Sequence, residues 1–107
     1  MKNYKIRTNK SFDKDMMRIY KFLESNGMAS EKIQDLFEQF YQDILKLNPF
    51  PEIGAQLKSK VSINNDYRYI LSGDYIILYR VVELKKTIRI LHVYHQKQNY
   101  ITQLKLK

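Results

Sequence analysis

Basic and titratable side chains concentrate in the last part of the chain, on segments whose residue types are typical of β-strands. Arg68, Arg80, Arg89, His92 and His95 all lie between residues 66 and 95. Arginine pairs with phosphate through a planar fork of donors, and histidine titrates near neutral pH. The set therefore has the chemistry of phosphate binding and proton transfer, although the same residues also suit a plain charged surface.

Three β-rich runs in this half of the chain predict an antiparallel meander. They cover residues 66–71, 75–82 and 87–95, with turns between them. The middle run is apolar on both faces, which indicates a central strand. His92 and His95 are three positions apart on the last strand, so we expect them on opposite faces, unable to act together.

Two amphipathic helices are predicted in the first half of the chain. Thr8 or Ser11 can cap the first helix and Gly27 can end it, whereas Ser30 can cap the second and the prolines within 48–51 stop it. The short linker between them indicates an antiparallel hairpin. Their apolar stripes are Phe12, Met16, Ile19, Tyr20 and Leu23 in the first helix, and Ile33, Leu36, Phe37, Phe40, Ile44 and Leu47 in the second.

These elements define an α+β fold with the order β-α-α-β-β-β in a single domain over residues 1–107. Residues 4–8 alternate apolar and basic side chains and predict an opening strand, whereas residues 52–65 are expected to form a loop. The helical stripes need an apolar partner, which the meander supplies. We therefore expect the helical hairpin on one face of an antiparallel sheet, with the N-terminal strand beside the meander.

The net charge of +8 is unevenly distributed. Residues 13–52 carry five basic and eight acidic side chains, whereas residues 84–107 carry six basic and no acidic ones. A basic end favours a polyanion or an acidic peptide as partner, and a solubilising surplus of charge is the alternative. The chain has no cysteine and no apolar run near the roughly 20 residues that cross a bilayer. We expect a cytoplasmic protein with no metal, cofactor or membrane partner.

Four segments resemble the RelE/ParE superfamily of bacterial type II toxins. They are Leu-Lys-Ser-Lys at 57–60, Tyr-Arg-Tyr-Ile-Leu-Ser-Gly-Asp-Tyr at 67–75, Ile-Leu-Tyr-Arg-Val at 77–81 and Leu-His-Val-Tyr-His-Gln-Lys-Gln-Asn-Tyr at 91–100. The resemblance implies a growth-inhibiting toxin that a cognate antitoxin neutralises. One branch of the superfamily cleaves mRNA on the ribosome and another inhibits DNA gyrase without known catalysis, so both activities stay open.

For the ribonuclease branch, the resemblance implies roles for seven residues. Catalysis would fall to His95, Arg68 and Tyr100, and phosphate binding to Lys58, Lys60, Arg80 and Lys97. The sequence departs from the best-known ribonucleases at two places, because Ile76 and Gln96 stand where they have arginine. Ribosome-dependent mRNA cleavage, with ribosome and mRNA as partners, is the first expectation, and ParE-type inhibition of gyrase is the alternative.

Overall fold

The computed structural model describes residues 4–57 and 66–98. They form a five-stranded mixed sheet with two helices packed on one face. The α+β class and the predicted order of a strand, a helical hairpin and a three-stranded meander are confirmed. The elements are β1 (Lys5–Thr8), α1 (Lys10–Ser25), α2 (Ser30–Leu45), β2 (Ala55–Gln56), β3 (Arg68–Ser72), β4 (Tyr75–Val82) and β5 (Thr87–His95).

The strands lie in the order β1-β5-β4-β3-β2, which confirms β4 as the central strand. The meander β3-β4-β5 is antiparallel, but β1 pairs with β5 in parallel, so the prediction of a wholly antiparallel sheet is wrong. A strand that reaches the sheet through two helices is free of the hairpin geometry that makes neighbouring strands antiparallel. The predicted loop also contains β2, whose two residues pair with Tyr69 and Arg68 of β3.

The helix starts differ slightly from the predicted caps. The N-cap of α1 is Asn9, which lies between the predicted candidates Thr8 and Ser11. The N-cap of α2 is Ala29 and not Ser30, which is already the first helical residue. Neither cap makes a side-chain hydrogen bond to its helix. Packing of the apolar stripes, and not capping, therefore determines where these helices begin.

Most residues of the apolar stripes pack on the sheet as predicted, but Tyr20 and Leu23 of α1 are not among the core residues. This side of the sheet, the helix face, carries the main core, and the opposite side, the far face, carries a smaller cluster around Ile76, Leu78 and Tyr94. No helix among residues 4–57 and 66–98 is long and apolar enough to span a membrane. The buried residues of the main core are Tyr4, Phe12, Met16, Phe40, Ile44, Leu47, Tyr75, Ile77, Tyr79, Ile88, Ile90 and Val93.

Candidate functional site

Helix α1 covers the edge of β5 beyond the point where β1 ends. Ser11 Oγ donates to the backbone oxygen of Leu91 at 2.7 Å, and the backbone N–H of Val93 donates to Asp15 Oδ2 at 3.1 Å. Side chains of the helix thus satisfy strand groups that a neighbouring strand would otherwise pair. A bulge in β5 at Leu91, between the residues opposite Leu78 and Tyr79, adapts the strand to this contact.

His95 lies on the helix face at the C-terminal end of β5. It pairs with Tyr75, and the two rings meet edge to face with centroids 5.1 Å apart. The backbone N–H of Lys97 donates to His95 Nδ1 at 3.1 Å, so the neutral ring carries its proton on Nε2. His95 borders a cavity of about 440 Å³ that is mostly apolar, and its other lining residues are Arg18, Ile19, Phe22, Tyr75 and Gln98.

Arg68 anchors the segment before β2. Its Nη1 donates to the backbone oxygen of Gly54 at 2.8 Å and to that of Glu52 at 3.3 Å. Tyr79, which is fully buried, donates its hydroxyl to the Pro51 backbone oxygen at 2.7 Å and accepts from the Gly54 N–H at 2.9 Å. A Cβ at Gly54 would lie 2.5 Å from that hydroxyl, so only glycine fits this approach.

The predicted catalytic residues are not brought together within the described residues. Arg68 pairs with Tyr79 and His95 pairs with Tyr75. The backbones of Arg68 and His95 are therefore separated by about 13 Å along the strand direction and by about 10 Å across the sheet. Lys97 is exposed beyond the end of β5. The other predicted residues, Lys58, Lys60 and Tyr100, lie outside the described residues.

Arg80 lies on the far face and belongs to a line of three arginines. Arg80 on β4 pairs with Arg89 on β5, and Arg89 pairs with Arg7 on β1. We call these three residues the arginine row. Arg80 forms an ion pair with Asp66 at 2.8 Å, and Arg89 donates to Asn9 Oδ1 at 3.0 Å. Three adjacent strands thus place arginine residues side by side at one end of the far face.

His92 also lies on the far face, as predicted from its spacing to His95. It pairs with Leu78, and its ring stacks on Tyr94 with centroids 5.0 Å apart. His92 Nδ1 lies 2.8 Å from Asp15 Oδ2 and 2.9 Å from the Tyr94 hydroxyl, while Arg18 forms an ion pair with the same carboxylate. Burial, and then the charge of Asp15, raises the pKa of Tyr94 to about 12, so its hydroxyl stays protonated.

Arg7 and the link between Asp15 and His92 were not predicted from the sequence. Arg7 alternates with apolar Ile6 on β1, which was a signal that it faces away from the core. Its alignment with Arg89 depends on a parallel register between strands that are far apart in the chain. Periodicity identifies the face of a strand residue but not its partner on the next strand.

The described residues form a small α+β domain, and a comparison with known families identifies its class. The model of the ParE toxin of the type II toxin–antitoxin system parDE matches residues 6–100. The chain belongs to this family of type II toxins. A comparison with curated proteins found none whose sequence matches.

Solved structures of related toxins share the fold. A chain of the chromosomal ParDE system from P. aeruginosa is 18% identical, with a TM-score of 0.70, over 89% of this chain and 98% of the other. A chain of the RelBE2 toxin–antitoxin complex from Mycobacterium tuberculosis is 20% identical, with a TM-score of 0.59, over 92% and 97%. The isolated E. coli RelE toxin is 14% identical, with a TM-score of 0.58, over 94% and 93%.

Proposed function

We propose that this toxin arrests growth by binding DNA gyrase, without cleaving RNA. The observation that carries the proposal is the separation of His95 from Arg68, with His95 packed on Tyr75 and Arg68 bonded to the backbone of residues 52 and 54. Metal-free RNA cleavage needs acid–base and phosphate-stabilising groups around one phosphate. The match to the ParE model also favours the branch whose members inhibit gyrase.

The test compares the two activities with one preparation of toxin. Purified toxin should inhibit supercoiling of relaxed plasmid by gyrase, and should leave mRNA intact in a translating ribosome extract. His95→Gln should inhibit gyrase as the wild type does, because a contact surface does not depend on proton transfer. New mRNA ends in the extract, together with full gyrase activity, would overturn the proposal.

Cleavage of ribosome-bound mRNA is the second candidate function, and the pairing of Asp15 with His92 favours it. A carboxylate such as Asp15 that accepts a hydrogen bond from Nδ1 of a neutral imidazole fixes the ring proton on that nitrogen. The lone pair is then on Nε2, where it can take up a proton, as in a general base. His92 lies roughly 7 Å along the sheet from Arg89 on the same face. In this case His92→Gln should abolish the mRNA ends, typically about 10²–10⁴-fold for lost acid–base catalysis, whereas Leu84→Gln, at an exposed turn, should not.

We also propose that a cognate antitoxin binds the helical hairpin. Structures of related toxins include complexes with antitoxins. Here Met17, Phe22 and Tyr41 are exposed apolar side chains on the two helices. An amphipathic antitoxin segment that folds on binding would bury these apolar side chains. Phe22→Ser should weaken the complex by about tenfold or more. Unchanged affinity would place the interface elsewhere.

A further inference from the structure

We propose that the arginine row, formed by Arg7, Arg89 and Arg80, binds the phosphate backbone of duplex DNA. This inference goes beyond the proposed function, since it concerns DNA directly and needs no gyrase. The three residues lie on β1, β5 and β4, which are neighbours in the sheet, and they are directly opposite one another. Neighbouring strands are about 4.8 Å apart, so the row spans about 10 Å.

The electrostatics of the row indicate a ligand that is not part of the sheet. Like charges directly opposite one another destabilise a sheet, and the row contains two such pairs, Arg7–Arg89 and Arg89–Arg80. Within the described residues, the row has one carboxylate partner, Asp66, which is itself largely exposed. Arg7 and Arg89 are exposed, and the Arg80 side chain is 42% exposed. The guanidinium groups of Arg7 and Arg89 are therefore accessible to an anionic ligand, and that of Arg80 is accessible in part, since its Nε is buried.

The density of charge favours a nucleic acid over an acidic peptide. Duplex DNA carries one negative charge per about 1.7 Å of helix axis in any sequence, so a backbone lying on the row brings several phosphates near it. An extended peptide presents alternate side chains to one face, so its carboxylates are about 6.6 Å apart, and a helix presents them about 6 Å apart. A peptide therefore offers carboxylates only where its sequence supplies them in the right register, whereas a nucleic-acid backbone carries a charge at every nucleotide.

The aromatic residues of the far face favour a duplex over a single strand. Proteins that bind single strands stack the bases on accessible aromatic rings. Here Tyr94 is 2% exposed, and Tyr67 and Tyr69 pack against the cluster that contains it. Among the described residues, the far face thus offers guanidinium groups and no free aromatic platform. Contacts to the backbone alone suit duplex DNA.

The test measures the salt dependence of binding to a short fluorescent DNA duplex of arbitrary sequence. Each phosphate contact contributes about 0.9 to the slope of log affinity against log salt concentration. The triple variant Arg7→Gln/Arg80→Gln/Arg89→Gln should therefore lower the slope by about 2.7. The triple lysine variant at the same positions should keep most of it, since it retains the charge.

A matched control removes three exposed lysines from the helices, in the variant Lys14→Gln/Lys21→Gln/Lys32→Gln. It has the same net charge as the triple glutamine variant and should leave the slope close to that of the wild type. Equal slopes for the two variants would overturn the proposal, because net charge alone would then explain binding. Row-dependent binding to polyglutamate or to single-stranded oligouridylate that is tighter than binding to the duplex would also overturn it.

Discussion

The two faces of the sheet differ in what their side chains do. On the helix face, polar groups form hydrogen bonds within the protein. Arg68 donates to backbone oxygens, and Asp43 accepts a hydrogen bond of 2.6 Å from the Ser72 hydroxyl. The far face carries the arginine row, whose residues lie side by side. Among the described residues, Asp66 is the one carboxylate that pairs with the row. Arg68 thus serves stability on the helix face, whereas we propose that the arginines of the far face serve recognition.

The largest effect is expected where the helix face is packed. Phe40 is fully buried, and its ring lies 5.1 Å from that of Tyr75. Phe40→Asp would bury a charge and remove the aromatic packing, at a cost of about 5 kcal/mol or more, enough to unfold a small domain. Tyr41→Asp, at the half-exposed neighbour, should fold normally. Thermal unfolding followed by circular dichroism checks this, and a normal transition for Phe40→Asp would contradict the packing.

Asp15 joins the helices to the far face, and its substitution should have the next largest effect. The buried carboxylate accepts from the Val93 N–H, pairs with Arg18 and contacts His92. Asp15→Asn keeps the volume but removes the charge, which should cost about 2–3 kcal/mol in denaturant unfolding. Asp13→Asn, at an exposed position two residues earlier in the same helix, loses only its interaction with the helix dipole and should cost about a few tenths of a kcal/mol. Equal stabilities of the two variants would show that the link is unimportant.

The hydrogen bond between Ser72 and Asp43 should give a smaller effect that depends on pH. Burial raises the pKa of Asp43, but hydrogen bonds from Ser72, Gln39 and Lys46 together bring it below its ordinary value of 3.8. Because the native pKa is lowered, the ionised carboxylate stabilises the fold fully at pH values above its ordinary pKa of 3.8. This stabilisation is lost as the pH falls through the native pKa.

Ser72→Ala should therefore cost about 1 kcal/mol at neutral pH and progressively less in acid, and it should raise the pKa of Asp43. Denaturant unfolding at several pH values, with NMR titration of the carboxyl group, measures both quantities. Ser25→Ala, which removes an exposed hydrogen bond to Phe22, is the control. A cost that grows on acidification would have the wrong sign for this account.

The smallest effect belongs to the far face, and it is expected to be a gain. Arg89 lies between two other arginines, so Arg89→Gln removes both like-charge pairs and loses a hydrogen bond to Asn9. The free energy of unfolding should rise by a few tenths of a kcal/mol at low salt and return to the wild-type value at high salt. A loss of stability comparable to that of Asp15→Asn would mean that Arg89 serves the fold.

Local sequence patterns predicted the elements of this fold, but not their lateral arrangement. The apolar stripes placed Phe40 in the core, and the three-residue spacing placed His92 and His95 on opposite faces. The parallel pairing of β1 with β5 is a contact between distant segments, which periodicity cannot determine. The arginine row depends on that pairing. The contact between Asp15 and His92 depends on where α1 crosses the edge of β5, which follows from tertiary packing.

Growth arrest in cells expressing toxin variants tests most directly whether toxicity depends on the arginine row and not on His95. The triple variant Arg7→Gln/Arg80→Gln/Arg89→Gln and the single variant His95→Gln are compared with the wild type, each shown to be folded at the growth temperature. We expect His95→Gln to stop growth as the wild type does and the triple variant to lose toxicity. Full toxicity of the triple variant, with an inactive His95→Gln, would contradict the account and return the function to the helix face.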